Sequence, residues 1–108
     1  MINFDLGDRA SMALAAEEVT SYLRAIANPS RFLLLCELLE RERNVSDLEE
    51  SLGMSQAYVS QQLARLRTEG LVQGRREGRV VYYSLVDDRV RPMISLLLEQ
   101  FCSKPAAA

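Results

Sequence analysis

The chain has 108 residues, 48% of them hydrophobic and 26% charged, the balance of one small globular domain with a real core. Histidine is absent and cysteine numbers two, too few ligands for a structural zinc site and no partner for a Ser–His or Cys–His catalytic pair. The net charge of −2 argues on its face against a polyanionic partner.

In chain order, residues 9–27 have helical spacing, with Met12, Ala15, Ala16, Val19, Leu23 and Ile26 along it. Asn28-Pro29 ends that helix and opens the next, Asn28 as cap and Pro29 at the first helical position. The second helix is expected to run to about Arg43 and, with apolar residues nearly all round from Phe32 to Leu39, to be buried. Ser46-Asp47-Leu48-Glu49 fits a capping box that opens a short third helix closed by Gly53. Ser55 caps a fourth helix that reaches about Glu69 and stops at Gly70. The period then changes to two. Residues 71–76 and 79–85 flank Glu77-Gly78 as a β-hairpin. Asp87 or Asp88 is expected to cap a last helix to about Ser103, with Pro92 in its first turn. Val90, Met93, Ile94, Leu97 and Phe101 line one face of it, and Leu96 and Leu98 add apolar surface elsewhere. Such a terminal helix suits burial against a second subunit, which would also relieve a marginal core.

The expected fold is mainly α with a β-hairpin wing: a winged helix–turn–helix of four helices, hairpin and fifth helix, dimeric through its terminal helices. One domain spans 1–108, with an ordered core over 9–103 and a frayed tail over 104–108. No apolar run approaches the roughly 18 residues of a membrane span. The opening MINFDLGDRA has no basic-then-apolar leader, so no membrane partner and a cytoplasmic location are expected.

Charge is unevenly placed. Residues 36–52 carry a net −4, whereas residues 53–83 carry +3. A helix–turn–helix followed at once by a basic hairpin is built to put one helix into a DNA major groove and the hairpin along the backbone. In the fourth helix Val59, Leu63 and Leu66 must face the core, which leaves Ala57, Gln61, Ala64, Arg65 and Thr68 outward and Tyr58 and Ser60 on the flanks. Gln56, Ala57, Tyr58, Ser60 and Gln61 are the candidate base-facing residues. Ser55 at the helix start suits a phosphate. Arg65, Arg67, Arg75, Arg76 and Arg79 are placed for backbone contacts. Of the hairpin tyrosines, Tyr82 and Tyr83 point to opposite faces, one to the core and one to the wing surface.

The segments LRAIANPSRFLLLCELL, VSDLEESLGMSQAYVSQQLARLRTEGLV and GRREGRVVYYSL resemble, in order and spacing, the ArsR/SmtB family of winged helix repressors. The resemblance implies a homodimer that binds double-stranded operator DNA and releases it when an inducer is sensed. Metal sensors of that family carry a Cys-x-Cys-containing motif before the recognition helix, or His and acidic ligands on the last helix. Here the first position reads Asn44-Val45-Ser46-Asp47-Leu48, and the last has Asp87, Asp88 and Glu99 without His. No metal and no cofactor are therefore expected.

Two cysteines remain. By the residues alone Cys36 and Cys102 read more readily as small apolar filler, since Glu37, Glu40 and a helix C-terminus oppose a thiolate. Within LLLCELL and LLLEQFC, however, the pair resembles the persulfide- and redox-sensing branch of SqrR-, BigR- and HlyU-like regulators. That likeness implies a disulfide or polysulfide bridge between Cys36 and Cys102, formed by reactive sulfur species or oxidants, that releases DNA. A redox-independent regulator or anti-silencer with structural cysteines, and a winged module that only binds protein, stay open as alternatives. A thiol oxidoreductase would want Cys-x-x-Cys beside a βαβ unit, and neither is present, so no enzyme is expected.

Overall fold

The structure, a computed structural model, describes residues 8–86 and 88–102. The expectations for Asp87, Ser103 and the tail 104–108 lie outside the described residues. Five helices and three strands follow in the order α1 (Arg9–Ile26), α2 (Pro29–Glu40), β1 (Arg43–Asn44), α3 (Val45–Leu52), α4 (Gln56–Thr68), β2 (Val72–Glu77), β3 (Val80–Leu85) and α5 (Val90–Phe101). This is the expected winged helix, with one added strand.

The core gathers on α2. Its Leu34, Leu35 and Leu38 are fully buried, and α2 touches α1, α3, α4, α5 and β3. Ala25 and Ile26 of α1, Leu48 of α3, Val59, Leu63 and Leu66 of α4, Leu71, Val72 of β2, Leu85 of β3, and Val90 and Ile94 of α5 complete the cluster. Burial is less complete on the outer side of α2, where Leu33 is exposed. Asn28 caps α2 by accepting from the Arg31 N–H at 3.0 Å, with Pro29 at its first position. Arg31 then ties three elements together. It donates to the Ala25 carbonyl at the end of α1 (2.6 Å) and to Gln62 Oε1 on α4 (3.0 Å).

Three boundaries differ from the sequence expectation. The second helix stops at Glu40 rather than Arg43, because Arg41 is extended (φ −170°) and Arg43-Asn44 pair with β3 as a short strand. Arg43 is the buried charged residue that fixes this turn. Its guanidinium meets Glu37 (3.2 Å), Glu40 (2.6 Å) and Ser51 Oγ (3.3 Å), so it joins the end of α2 to α3. The cap of α3 is Asn44, whose Oδ1 accepts from the Asp47 N–H at 2.8 Å; Ser46 lies inside the helix and is not the cap. The last helix is not capped by Asp88: Arg89 holds the cap position without a side-chain bond, and Pro92 falls in the first turn.

The sheet order is β1-β3-β2, all antiparallel. The hairpin loop is Gly78-Arg79, one residue later than expected, with Glu77 paired to Val80. Gly78 has φ +64° and no other residue there is positive, the pattern of a two-residue type II′ turn. In β2, a Cβ on Gly74 would come to 3.1 Å from Val81 Cγ1, so the Val81 side chain lies over the strand in space that glycine leaves.

The terminal helices leave apolar surface uncovered. On α1, Met12, Leu14, Val19 and Leu23 are exposed; on α5, Leu96 and Phe101 are. A hollow of about 90 Å³ lies between α1 and α5, lined by Val19, Tyr22, Leu23 and Met93 and rimmed by the Glu18–Arg89 ion pair at 3.0 Å. Among the described residues no helix is long and apolar enough to cross a membrane.

The assignment of the α3 cap has a direct consequence. Asn44→Ala is expected to lower the free energy of urea unfolding by about 1 kcal/mol. Ser46→Ala, at an exposed non-capping position, is expected to stay within about 0.5 kcal/mol of the parent. Equal losses would place the cap at Ser46 after all.

Candidate nucleic-acid interface and thiol pair

Helix α4 begins at Gln56, with Ser55 Oγ accepting from the Tyr58 N–H at 3.2 Å. The Ser55 hydroxyl is thus already engaged as a cap. With Val59, Leu63 and Leu66 buried, 3.6 residues per turn leaves three outer stripes. Ala57, Gln61, Ala64 and Thr68 form the central stripe, all exposed. Gln56, Ser60 and Arg67 form a flank toward the wing; the Arg67 guanidinium lies 3.8 Å from the point where a Gly74 Cβ would sit. Tyr58, Gln62 and Arg65 form the other flank, on the side where Arg31 of α2 holds Gln62.

The five arginines of the basic segment fall into two groups. Arg75 is neutralised within the protein. It pairs with Glu42 at 2.5 Å and Glu77 at 3.0 Å and lies over the Tyr82 ring, 5.2 Å from its centroid. The hydrogen bond from Arg75 holds the Glu42 carboxyl below the usual range, and the two carboxylates push the guanidinium further up. Arg75 thus ties the wing to the turn after α2 while its side chain stays half exposed. Arg65, Arg67, Arg76 and Arg79 are exposed, and among the described residues none has a carboxylate within ion-pair distance. Of the two tyrosines, Tyr83 packs on the core and Tyr82 serves the wing surface, as alternation along β3 requires.

The thiols lie on two helices in contact. Cys36 is half-buried on α2, and Cys102 is exposed just past the end of α5, its N–H bonded to the Leu98 carbonyl. Both are free. At the other end of α5, Arg91 donates to the Leu39 carbonyl at 2.7 Å, which fixes α5 against α2. Burial pushes the Cys36 thiol up to about 11, and repulsion from Cys102 and then Glu37 adds to the rise. The two cysteines, 66 positions apart in the chain, thus lie on elements that pack together within one subunit. Among the described residues no group of three His, Cys, Asp or Glu side chains could hold a metal ion.

Sequence reasoning missed Glu42 and Arg43. The spacing Glu37, Glu40, Arg43 in the acidic segment was the available signal, since i,i+3 neighbours meet at a helix end.

Comparison with known proteins adds a second line of information. The model of the bacterial regulatory proteins of the arsR family matches residues 28–73. The chain is 34% identical over 100 residues to the biofilm growth-associated repressor of Xylella fastidiosa, covering 93% of this chain and 88% of that protein. The crystal structure of BigR from the same organism aligns with a TM-score of 0.80 at 34% identity, over 94% of this chain and all of that one. The transcriptional activator HlyU of Vibrio cholerae is 44% identical over 80 residues, 74% of each protein, and reduced HlyU aligns with a TM-score of 0.81 at 39% identity over 86% of this chain and 98% of that one. The homodimeric winged helix–turn–helix DNA-binding domain Mb0332 of Mycobacterium bovis aligns with a TM-score of 0.75 at 30% identity over 86% of each chain. The curated relatives named here are regulators of transcription rather than enzymes.

The two thiols are expected to differ in reactivity. With iodoacetamide at pH 8, peptide mass spectrometry should find Cys102 modified first. The Cys36 rate should climb about tenfold per pH unit toward 11, because only the thiolate reacts. Equal rates at pH 8 would contradict the environment described for Cys36.

Proposed function

The chain belongs to the ArsR family of bacterial regulatory proteins and is similar within it to the BigR- and HlyU-like regulators, and from that premise we propose that it is a homodimeric repressor whose hold on operator DNA is switched by Cys36 and Cys102. In this reading the dithiol form binds DNA, and a bridge between the two sulfurs releases it. The observation that carries the switch is that α2, which bears Cys36, packs against α5, just past whose end Cys102 lies.

The DNA-binding half is supported by the exposed outer stripes of α4 and by Arg65, Arg67, Arg76 and Arg79, whose charges are not neutralised by carboxylates. The central stripe, with Gln61 in the first two turns, faces base edges; Gln reads adenine in bidentate fashion. Homodimerisation is supported by the apolar surface on α1 and α5, where Met12, Val19, Leu23, Leu96 and Phe101 lie exposed. A dimer spaces two α4 helices by about one DNA turn, so a shift of α5 alters both heads together.

The chemistry follows from the environments. Cys36 stays protonated at neutral pH, so exposed Cys102 is the first thiol to react. A peroxide accepts two electrons and the two thiol protons and leaves as two waters, with one S–S bond formed. A persulfide instead transfers a sulfur atom to Cys102, and the second thiol closes the bridge with loss of hydrogen sulfide. A polysulfide bridge keeps the added sulfur and passes two electrons and two protons to a second persulfide, whose S–S bond breaks to give a thiol and hydrogen sulfide. The description of one solved relative as reduced HlyU is consistent with a redox-dependent state in that protein.

A second reading, a redox-independent regulator with structural cysteines, is favoured by the raised Cys36 thiol. One experiment separates the two. Duplexes are selected from a random-sequence pool with the reduced protein, and binding is followed by fluorescence anisotropy. Polysulfide treatment is expected to weaken wild-type binding by about tenfold or more while Cys36→Ser and Cys102→Ser remain bound. Release of both variants overturns the thiol switch, and failure to select any duplex overturns the DNA reading. In the same assay, Arg76→Ala is expected to reduce the slope of log affinity against log salt by up to ~0.9, as for one lost phosphate contact. Arg75→Ala is expected to reduce it by much less, because its charge is already taken up by Glu42 and Glu77.

A further inference from the structure

Helix α4 is fastened to α1 at two points. Arg31, at the start of α2, donates from Nε to the Ala25 carbonyl at the end of α1 (2.6 Å) and from Nη1 to Gln62 Oε1 on α4 (3.0 Å). Its Nη2 reaches the Arg24 carbonyl at 3.4 Å. Two turns further along α4, Ser21 Oγ of α1 donates to Glu69 Oε1 at 3.3 Å. Gln62 and Glu69 share one stripe of α4, about 10 Å apart along its axis. Ser21 and Ala25 are one turn apart on a single face of α1. Val19 and Leu23, both exposed, lie on the opposite face of that helix.

Both fasteners are chemically specified. A guanidinium has only donors, so the Gln62 amide must turn its oxygen toward Arg31. Arg31 also meets carbonyls at the end of α1, where a cation is favoured by the helix dipole. Glu69 is the reverse case. It holds the C-cap of α4, where the dipole disfavours a carboxylate, and the Ser21 hydroxyl gives it a partner.

We propose that Arg31 and Ser21 are positioning residues for DNA recognition: through Gln62 and Glu69 they fix the tilt and rotation of α4 on α1, and so the separation of the two reading helices in a homodimer. The proposal rests on the DNA-binding and homodimer readings and deepens them. Burial of Val59, Leu63 and Leu66 settles which stripe of α4 faces inward, but apolar contact is non-directional. Two directional bonds, two turns apart, add the orientation that burial leaves open. The face of α1 that carries Val19 and Leu23 belongs to the apolar surface assigned to the second subunit. Helix α1 is then the strut between that contact and the reading helix, and Gln62 acts through Arg31 rather than on a base.

The test uses the full-length reduced protein and a duplex selected as above, with the spacer between its half-sites then lengthened by one base pair. The insertion moves one half-site by about 3.4 Å and about a tenth of a turn. Wild type is expected to lose about tenfold in affinity, as for one badly met base pair. Gln62→Met keeps the volume and removes the acceptor, and Ser21→Ala removes the hydroxyl donor. Each is expected to cut the spacing penalty to about threefold or less, because a loosened α4 adjusts to the new spacing. Both leave the Arg31 bond to Ala25 in place, and thermal unfolding followed by circular dichroism is expected to show both folded. Gln62→Glu and Ser21→Thr keep acceptor and donor, and are expected to retain the wild-type penalty, even though the added charge of Gln62→Glu weakens binding to both duplexes. Gln62→Met that loses affinity equally on both duplexes, with the penalty intact, makes Gln62 a direct contact or a plain packing residue and overturns the proposal. Loss of the penalty in Gln62→Glu or Ser21→Thr overturns it as well. A wild-type protein that binds no duplex overturns the DNA reading and this inference together. One that binds a lone half-site as tightly as the whole duplex overturns the homodimer reading and this inference together. The wild-type penalty in every variant, or a wild type that binds the whole duplex more tightly but is indifferent to spacing, overturns this inference alone.

Discussion

The burial of α2 is the constraint on which the rest of the molecule depends. Leu34, Leu35 and Leu38 have no exposed surface, and every other helix and the last strand of the sheet rest on them. A helix enclosed in this way cannot shift without its neighbours, because a close-packed core transmits displacement rather than absorbing it. Cys36 sits on the flank of that helix, against α5. The leucine core and Arg31, which bonds both the end of α1 and Gln62 of α4, join α2 to the outer helices.

Charge is handled by the same division between held and free groups. Arg43 is buried against Glu37 and Glu40 of the last turns of α2, whereas Arg75 is paired at the surface with Glu42 of the turn after α2 and with Glu77 of its own strand. The acidic segment that lowers the net charge of the chain is thus partly taken up in ion pairs that hold β1 and the wing. The arginines on the outer face of α4 and at the wing tip have no such partners among the described residues. An acidic protein can in this way present a basic surface, because the local field depends on which charges are paired and not on their sum.

The order of the helices, the glycine stops and the buried stripe of α4 were legible in the sequence because each is written in local chemistry. Pro29 admits only a helix start, Gly53 and Gly78 take positive φ without cost, and Val59, Leu63 and Leu66 repeat at helical spacing. The errors fell where long-range contacts compete with local preference. Ser46-x-x-Glu49 is a sound capping box, yet Asn44 caps the helix because the pairing of Arg43-Asn44 with Tyr83 and Tyr82 fixes the chain two residues earlier. The same pairing ends α2 before Arg43. For the candidate site, the residue list was readable but the roles were not. Arg75 and Arg76 are adjacent in sequence, and the approach of Glu42 from 33 residues away, with Glu77 and Tyr82 beside it, distinguishes Arg75.

The sequence by itself determined the winged helix and the basic segment, since these follow from periodicity, turn residues and composition; for the two cysteines the residues alone favoured apolar filler, and only the family resemblance suggested a bridge. The tertiary structure decided which charges are free, which flank of α4 faces the wing, and that the helix bearing Cys36 packs against the one that ends at Cys102. The physical reason is that backbone preferences act over a few residues, whereas burial and ion pairing depend on groups brought together only when distant segments pack on α2.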